Sequence, residues 1–220
     1  MPSGNSVRNG ESDFERRRFI NGYETDTISV QCLEELAVTK DFQEHLLCDQ
    51  AEQLISSLAE SFRDVSLGNG ITLHEANAID LRLSVSEQRA MRRLDKASQW
   101  QNVPEEHLIK CSSALSFLDP AGFRFYLPAF LTFGLRSEHP EAYELLSSSY
   151  HSLLHEPGKS LRQSNPDAII QRFGFTLQQS QALLSFLRYF GADATPAYTE
   201  ALERWETVVT ILAKEDNPTT

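Results

Sequence analysis

Apolar residues recur three or four positions apart along most of the chain, which is the spacing of an amphipathic helix. Leu54, Leu58 and Phe62 fall on one face, with acidic residues opposite them. No alternation of apolar and polar residues runs for more than a few positions, so the pattern predicts an all-α fold of about eight to ten helices. Two further apolar stripes occur towards the C-terminus and comprise Leu177, Leu183, Leu184, Phe186, Leu187 and Phe190, then Ala201, Leu202, Trp205, Val208, Val209 and Leu212.

Residues that begin and end helices stand between these apolar stretches. Thr72 with Glu75, and Ser84 with Glu87, have the spacing of a capping box, in which a hydroxyl and a carboxylate satisfy free amides of the first turn. Proline suits the first helical position because its missing amide hydrogen would have no partner there. Helix starts are therefore predicted at Pro104, Pro120, Pro166 and Pro196, and helix ends at Gly174 and Gly191.

The chain is predicted to hold one helical domain between two flexible ends. Residues 1–27 are polar and contain few aliphatic side chains, so they are expected to form a disordered arm. Residues 28–212 carry the helical pattern and are expected to form a single globular multi-helix domain. Residues 213–220 are expected to form a flexible tail.

The segment from residue 117 to residue 135 is apolar on nearly every side of a helix, and we expect it to lie at the centre of the domain. Asp119 precedes Pro120, a pair typical of a helix start, and its carboxylate can accept hydrogen bonds from the first turn. Pro128 removes one backbone hydrogen bond within this helix, so a kink or a break is predicted there.

Arg124 is the residue of this segment that most needs a partner. It stands among aromatic residues that include Tyr126, and a buried guanidinium without a partner would be strongly destabilising. A structural ion pair with Asp80 or Asp119 is one interpretation, and an anchor for an anion or a partner is the other. The sequence therefore makes Asp80, Asp119, Arg124 and Tyr126 the candidate functional or structural centre.

Composition and charge exclude several classes of function. Of 220 residues, 40% are hydrophobic and 23% are charged, which is ordinary for a soluble globular protein. The net charge of −11 repels nucleic-acid phosphates, so no binding to DNA or RNA is expected. The segment 21–62 carries nine acids and one lysine, and it is either a solvated surface or a face for a basic partner.

The sequence also argues against membrane association. No apolar run approaches the roughly 18 residues of a membrane-spanning helix. The N-terminal stretch lacks the apolar block of a secretory signal. A cytoplasmic protein is therefore expected.

The chain contains none of the strong motifs of cofactor binding or catalysis. It has no phosphate-binding loop, no dinucleotide fingerprint, no HExxH and no GxSxG sequence. Cys32, Cys48 and Cys111 are odd in number and far apart, which is typical of free structural thiols and not of a disulfide framework or a zinc site. No cofactor is expected.

Two groups that contain histidines are candidates for a metal site or an acid–base site. His151 and His155 are one helical turn apart, a spacing that two-histidine metal sites use. They stand before a Pro-Gly pair at a helix end, where the dipole favours a protonated histidine, so no metal is expected. His74 and Asp80 are six residues apart and do not share a helix face, so an acid–base role is not indicated.

The order of several features resembles an uncharacterised bacterial family of helical proteins, a domain of unknown function. The resemblance rests on the stretch Thr72-Leu73-His74-Glu75-Ala76 with Asp80, then Trp100, then the block FLDPAGFRFYLPA at 117–129. It covers about residues 50–135, with a looser fit from Leu177 to Gly191. It implies a soluble helical protein and brings no established activity, substrate or catalytic residue.

The absence of catalytic motifs, the acidic surface and the aromatic centre favour a protein-interaction module, either an adaptor or an inhibitor of the immunity-protein type. The alternative is an enzyme or small-ligand binder of an unfamiliar class, with Asp119, Arg124 and Tyr126 lining a pocket beside Pro128. The surroundings of Arg124 distinguish the two. An open pocket with acids or histidines favours the enzyme, whereas a bidentate pair makes this segment scaffold.

Overall fold

The computed structural model describes residues 49–154, 165–191 and 196–217. These residues form helices joined by turns and contain no strand, so the prediction of an all-α fold is confirmed. The predicted arm at 1–27 and the start of the predicted domain at 28–48 lie outside the described residues. The helices are α1 (residues 49–61), α2 (Leu73–Asp80), α3 (Val85–Met91), α4 (Glu105–Lys110), α5 (Pro120–Arg136), α6 (Ala142–Leu154), α7 (Pro166–Phe173), α8 (Leu177–Phe190) and α9 (Pro196–Asp216), with 3₁₀ turns at Arg92–Leu94, Trp100–Asn102 and Ala114–Ser116.

Helix α5 lies at the centre of the core, as its apolar sequence predicts. It contacts α4, α6 and α7. Because it is surrounded by other elements, side chains on several of its faces are removed from water. The side chains of Phe125, Tyr126, Leu127, Phe130 and Leu131 are each at most 1% exposed.

A kink or a break was predicted at Pro128; helix α5 runs through it without interruption, so the break does not occur. A proline inside a helix costs about 3 kcal/mol. Burial of a large apolar side chain contributes roughly 1.5–3 kcal/mol, and Leu127, Phe130 and Leu131 around the proline are all fully buried. Packing of the flanking residues therefore outweighs the lost hydrogen bond.

The helix starts agree with the sequence in most places. The Ser84 hydroxyl accepts from the Glu87 amide at 3.4 Å, and the Glu87 carboxylate accepts from the Ser84 amide at 2.9 Å. Pro120 and Pro166 occupy the first turn of α5 and α7. At α4 the prediction is off by one residue, because Pro104 is the N-cap and the helix begins after it. Proline tolerates this place since the N-cap amide lies outside the helix.

Helices α8 and α9 pack along their predicted apolar stripes. Leu183 and Leu187 of α8 are fully buried. Trp205 of α9 is 1% exposed, and its indole nitrogen donates to the Leu153 carbonyl at 3.2 Å. Helix α9 reaches Asp216, so it includes the first residues of the segment predicted to be a tail. None of the described helices combines the length and the apolar composition needed to cross a membrane.

Candidate functional site

Exposed apolar side chains gather around α3. Of the four large hydrophobic residues that are exposed in the described part of the chain, three are Leu81, Val85 and Leu94, and Leu81 is 63% exposed. Helix α3 itself buries no residue. Contiguous exposed apolar surface marks sites of interaction. We define the α3 surface by its exposed members, Leu81, Arg82, Val85, Arg89, Arg93 and Leu94.

The α3 surface is basic although the chain is acidic. Residues 81–96 contain five basic and two acidic residues, whereas the whole chain contains 20 basic and 31 acidic residues. One of the two acids, Asp95, is 4% exposed, and the other, Glu87, accepts a hydrogen bond from Ser84. Within residues 49–154, 165–191 and 196–217, no carboxylate lies within ion-pair distance of Arg89 or Arg93. Their charges are available to a partner.

Arg82 is held in a strained backbone conformation at the edge of this surface. Its φ angle is 55°, in the left-handed region that favours glycine. The amides of Arg82 and Leu83 donate to the carbonyls of Ile79 and Ala78 at 2.9 and 3.0 Å and close the end of α2. A side chain in this region costs about 1–2 kcal/mol. These two hydrogen bonds form the Schellman arrangement that commonly ends a helix, with arginine at the left-handed position where glycine is most frequent.

A buried polar cluster of His74, Asp95 and His107 lies at the base of the α3 surface. Asp95, which follows the 3₁₀ turn Arg92–Leu94, accepts from the His74 amide through Oδ2 at 2.8 Å. Its Oδ1 lies 2.8 Å from Nδ1 of His74 and 3.6 Å from Nδ1 of His107. The two imidazole rings meet edge to face, with centroids 4.5 Å apart. Two imidazoles and a carboxylate form a donor set that transition metals use.

Two further buried polar groups lie within the electrostatic reach of Asp95. Burial raises the pKa of the Tyr126 hydroxyl, and the charge of Asp95 raises it further. That hydroxyl lies near the backbone of Leu73, which partly offsets the rise in pKa, but it makes no hydrogen bond of normal geometry among the described residues. Burial likewise raises the pKa of the Cys111 thiol to about 11, again with a contribution from Asp95. Both groups are therefore neutral at physiological pH.

Asp80 and Asp119, two members of the predicted centre, attach α2 to neighbouring segments. Asp80 accepts a hydrogen bond from the Ser113 hydroxyl at 2.7 Å. Asp119 caps α5 by accepting from the Gly122 amide at 2.8 Å, and the same oxygen accepts from the Ile71 amide at 3.0 Å. Asp119 thus anchors the start, and Asp80 the end, of the segment 71–80 that carries His74 of the cluster.

Arg124, the third member, lies at the end of α7. Its Nη1 donates to the Phe173 carbonyl at 2.6 Å and lies 3.5 Å from the Gly174 carbonyl oxygen. The expected ion pair with Asp80 or Asp119 is not formed. The guanidinium instead satisfies carbonyls that have no partner within the helix, a place where a positive charge also opposes the helix dipole.

Arg124 lines none of three surface cavities formed by the described residues. One of about 710 Å³ lies beside α6 and is lined by residues that include Tyr143, His151 and Arg172. Another, of about 400 Å³, is lined by residues that include Trp100. A third, of about 570 Å³, lies on α9 and is lined by residues that include Arg204. His155, the second histidine of the pair at metal-site spacing, lies outside the described residues.

Sequence reasoning named Tyr126 as a candidate, assigned no role to His74, and missed Asp95 and His107. His74 is separated from Asp95 by 21 positions, and neither shares a helix with His107. No periodic pattern links residues so far apart. One sequence signal points to Asp95. It is the single acid in the otherwise basic stretch Arg92-Arg93-Leu94-Asp95-Lys96, and such a carboxylate is expected to pair with a residue from another part of the fold.

Comparison with known proteins identifies a family without assigning a function. The model of a family described as "Family of unknown function (DUF6714)" matches residues 50–206 of the chain. No curated protein and no solved structure is significantly similar to it. The matched region contains all of the cluster residues and the whole α3 surface.

Proposed function

The chain belongs to the DUF6714 family, a family of unknown function, and from its own surfaces we propose that it is a protein-interaction module whose binding face is the α3 surface. The partner is a protein segment that carries acidic and apolar side chains. This proposal places the protein with adaptors and inhibitors and not with enzymes. The observation that carries it is that unpaired arginines and three exposed hydrophobic residues, Leu81, Val85 and Leu94, fall within one stretch of 14 residues, 81–94, that includes α3.

The apolar part of the α3 surface supports a protein as the partner. Leu81 and Val85 are 63% and 61% exposed, and each would gain from removal of its side chain from water. Burial of apolar surface contributes roughly 25 cal/mol per Å². Phosphate groups of a nucleic acid offer no apolar area to match these side chains.

The charges support a partner of opposite sign at this face. Arg82, Arg89 and Arg93 are exposed and lie within a segment that is locally positive. At physiological ionic strength, charges separated by more than about 8 Å are largely screened from one another. A partner that docks on α3 therefore experiences the local arginines more strongly than the acidic remainder of the protein.

The other partner suggested by the sequence, a basic protein on the acidic segment 21–62, has less support from the described residues. Most of that segment lies outside them. The alternative of an enzyme or small-ligand binder depended on a pocket at Arg124. The hydrogen bonds of Arg124 go to backbone carbonyls, and it lines none of the three cavities described above.

The test compares matched charge reversals of the full chain in capture experiments from native lysate. The control variant R63E/R136E makes the same change in charge at two exposed positions, the first after α1 and the second in α5. Wild type and this control are expected to bind the same partner. R89E/R93E is expected to lose it, because the reversed charges repel an acidic segment. Since all four arginines are exposed, the melting temperatures should stay within a few degrees of wild type.

A second variant, L81S/V85S, separates apolar from electrostatic recognition. Loss of the same partner, with charge unchanged, would support a combined apolar and acidic epitope. Retention of the partner by both α3 variants would overturn the proposal. Competition of binding by single-stranded nucleic acid would instead identify a phosphate backbone as the natural occupant.

A further inference from the structure

We propose that His74, Asp95 and His107 bind a divalent transition-metal ion of the zinc type. This inference does not depend on the partner proposed for the α3 surface. The three residues come from α2, from the segment after the 3₁₀ turn Arg92–Leu94, and from α4. One ligand atom of each lies within 4.8 Å of those of the other two.

The distances suit a small tetrahedral ion. Zinc binds imidazole nitrogen and carboxylate oxygen at about 2.0–2.1 Å, so two ligand atoms in a tetrahedral site lie about 3.3 Å apart. Oδ1 of Asp95 is 2.8 Å from Nδ1 of His74 and 3.6 Å from Nδ1 of His107, values that fall on either side of this spacing. To reach this spacing the first distance would lengthen by about 0.5 Å and the second would shorten by about 0.3 Å.

The donor types select the class of metal. Magnesium and calcium prefer sites made of oxygen ligands, whereas imidazole suits zinc, copper, iron and nickel. With two imidazoles and one carboxylate from the protein, a tetrahedral ion keeps one position for a water molecule or an exogenous ligand. His107 is 24% exposed, whereas His74 and Asp95 are 5% and 4% exposed, so solvent reaches the site from the His107 side.

Hydrogen bonding alone leaves two features of this region without an explanation. Asp95 is satisfied by the amide and ring of His74, but the distance of 3.6 Å to His107 is too long for a hydrogen bond. The hydroxyl of Tyr126 is buried near the backbone of Leu73 but makes no hydrogen bond of normal geometry among the described residues, and it lies close enough to Asp95 for that charge to act on it. A bound ion with a coordinated water would provide an occupant for this polar space.

The ion would connect three segments of the fold. Asp95 ends the exposed segment that carries α3, and the two histidines lie on helices packed against the core. Binding to the folded state alone raises stability as the free ion concentration exceeds the dissociation constant. Binding also requires neutral histidines, so the affinity for the ion falls as the pH is lowered.

The test is calorimetric titration of the full chain with Zn²⁺ after removal of metal by a chelator. Wild type should bind one equivalent. H107N, at the most exposed of the three ligands, should bind at least about tenfold more weakly, and H139N, at an exposed histidine elsewhere, should bind as wild type does. In wild type, Co²⁺ should give the visible absorption of a tetrahedral site, and H107N should lose it.

Thermal unfolding gives a second readout that does not depend on calorimetry. Zn²⁺ should raise the melting temperature of wild type and of H139N, and should leave that of H107N nearly unchanged. Absence of binding by wild type, or equal binding by H107N, would overturn the proposal. Loss of zinc in H151N, with H107N unaffected, would also overturn it and would move the site to α6.

Discussion

The guanidinium of Arg124 occupies the space in which a side chain at position 174 would begin. Its Nη1 donates to the Phe173 carbonyl at 2.6 Å, and a Cβ on Gly174 would lie 2.5 Å from that nitrogen. Gly174 also has a φ angle of 60°, in the left-handed region. Arg124 and Gly174, 50 positions apart, thus form one contact that fixes the end of α7 against α5.

Replacement of Arg124 by alanine should destabilise the protein by about 1–3 kcal/mol, because carbonyls at the end of α7 lose a charged donor. For a chain of this length, the melting temperature should fall by roughly 2–4 °C for each kcal/mol. R63A is the control, since the exposed pair of Arg63 with Glu60 contributes at most about 1 kcal/mol. Equal melting temperatures for R124A and R63A would contradict a stabilising role of Arg124 at the end of α7.

Alanine at position 174 should destabilise the protein more than alanine at position 68. Gly68 has a similar φ angle of 55° but nothing within 4 Å of its Cβ position, so G68A measures backbone strain alone, about 1–2 kcal/mol. G174A adds displacement of Arg124. In a double-mutant cycle by chemical denaturation, the excess cost of G174A should disappear in the R124A background. An excess that persists would place its cause elsewhere.

Replacement of Asp119 by alanine should lower the free energy of unfolding by about 1–3 kcal/mol. The change removes the N-cap of α5 and leaves the amide of Ile71 without its acceptor. D119N retains an oxygen at the same place and should lose less than half as much. Chemical denaturation of both variants measures the difference, and similar losses would show that the negative charge matters more than the hydrogen bonds.

Replacement of Arg82 by glycine should stabilise the protein and weaken binding of its partner. Glycine removes about 1 kcal/mol of left-handed strain at φ 55° while deleting one charge from the α3 surface. Melting temperature and partner capture should therefore change in opposite directions. R82K retains both the strain and the charge, so it should resemble wild type in both measurements. Undiminished capture by R82G would show that Arg82 serves no role in recognition.

Alkaline pH should destabilise the protein in two stages, with chelator present. Burial raises the pKa of Cys111 from 9.0 to about 11, so the unfolded chain holds fewer protons in that window and stability falls as pH rises through it. Burial raises the pKa of Tyr126 above 10.0 as well, so the stability that depends on its neutral hydroxyl is lost only above that pH. In C111A, the onset of the decline should move from about pH 9 to about pH 10. Denaturation series between these values measure the slope, and an unchanged onset would contradict protection of the thiol.

Periodic apolar positions predicted the helices correctly, but sequence signals alone did not decide whether a helix continues through a proline. The stripes of α8 and α9 and the apolar sequence of α5 identify elements whose buried faces are set by residues three and four apart. A break of α5 at Pro128, one of the two predicted outcomes, does not occur, because the local preference of proline is opposed by the packing of Leu127, Phe130 and Leu131 around it. The capping box of Ser84 and Glu87 was predicted correctly, because its two hydrogen bonds span a single turn.

The sequence by itself determined the all-α class, most helix starts and the central position of α5, since each depends on neighbours within a turn or two. Only the tertiary structure decided the partners of Asp119 and Arg124, which lie 48 and 49 positions away at Ile71 and Phe173. It also decided that His74 meets Asp95 and His107. Contacts of this kind depend on how helices pack, and packing is set by the shapes of all buried side chains together and not by any short stretch of sequence.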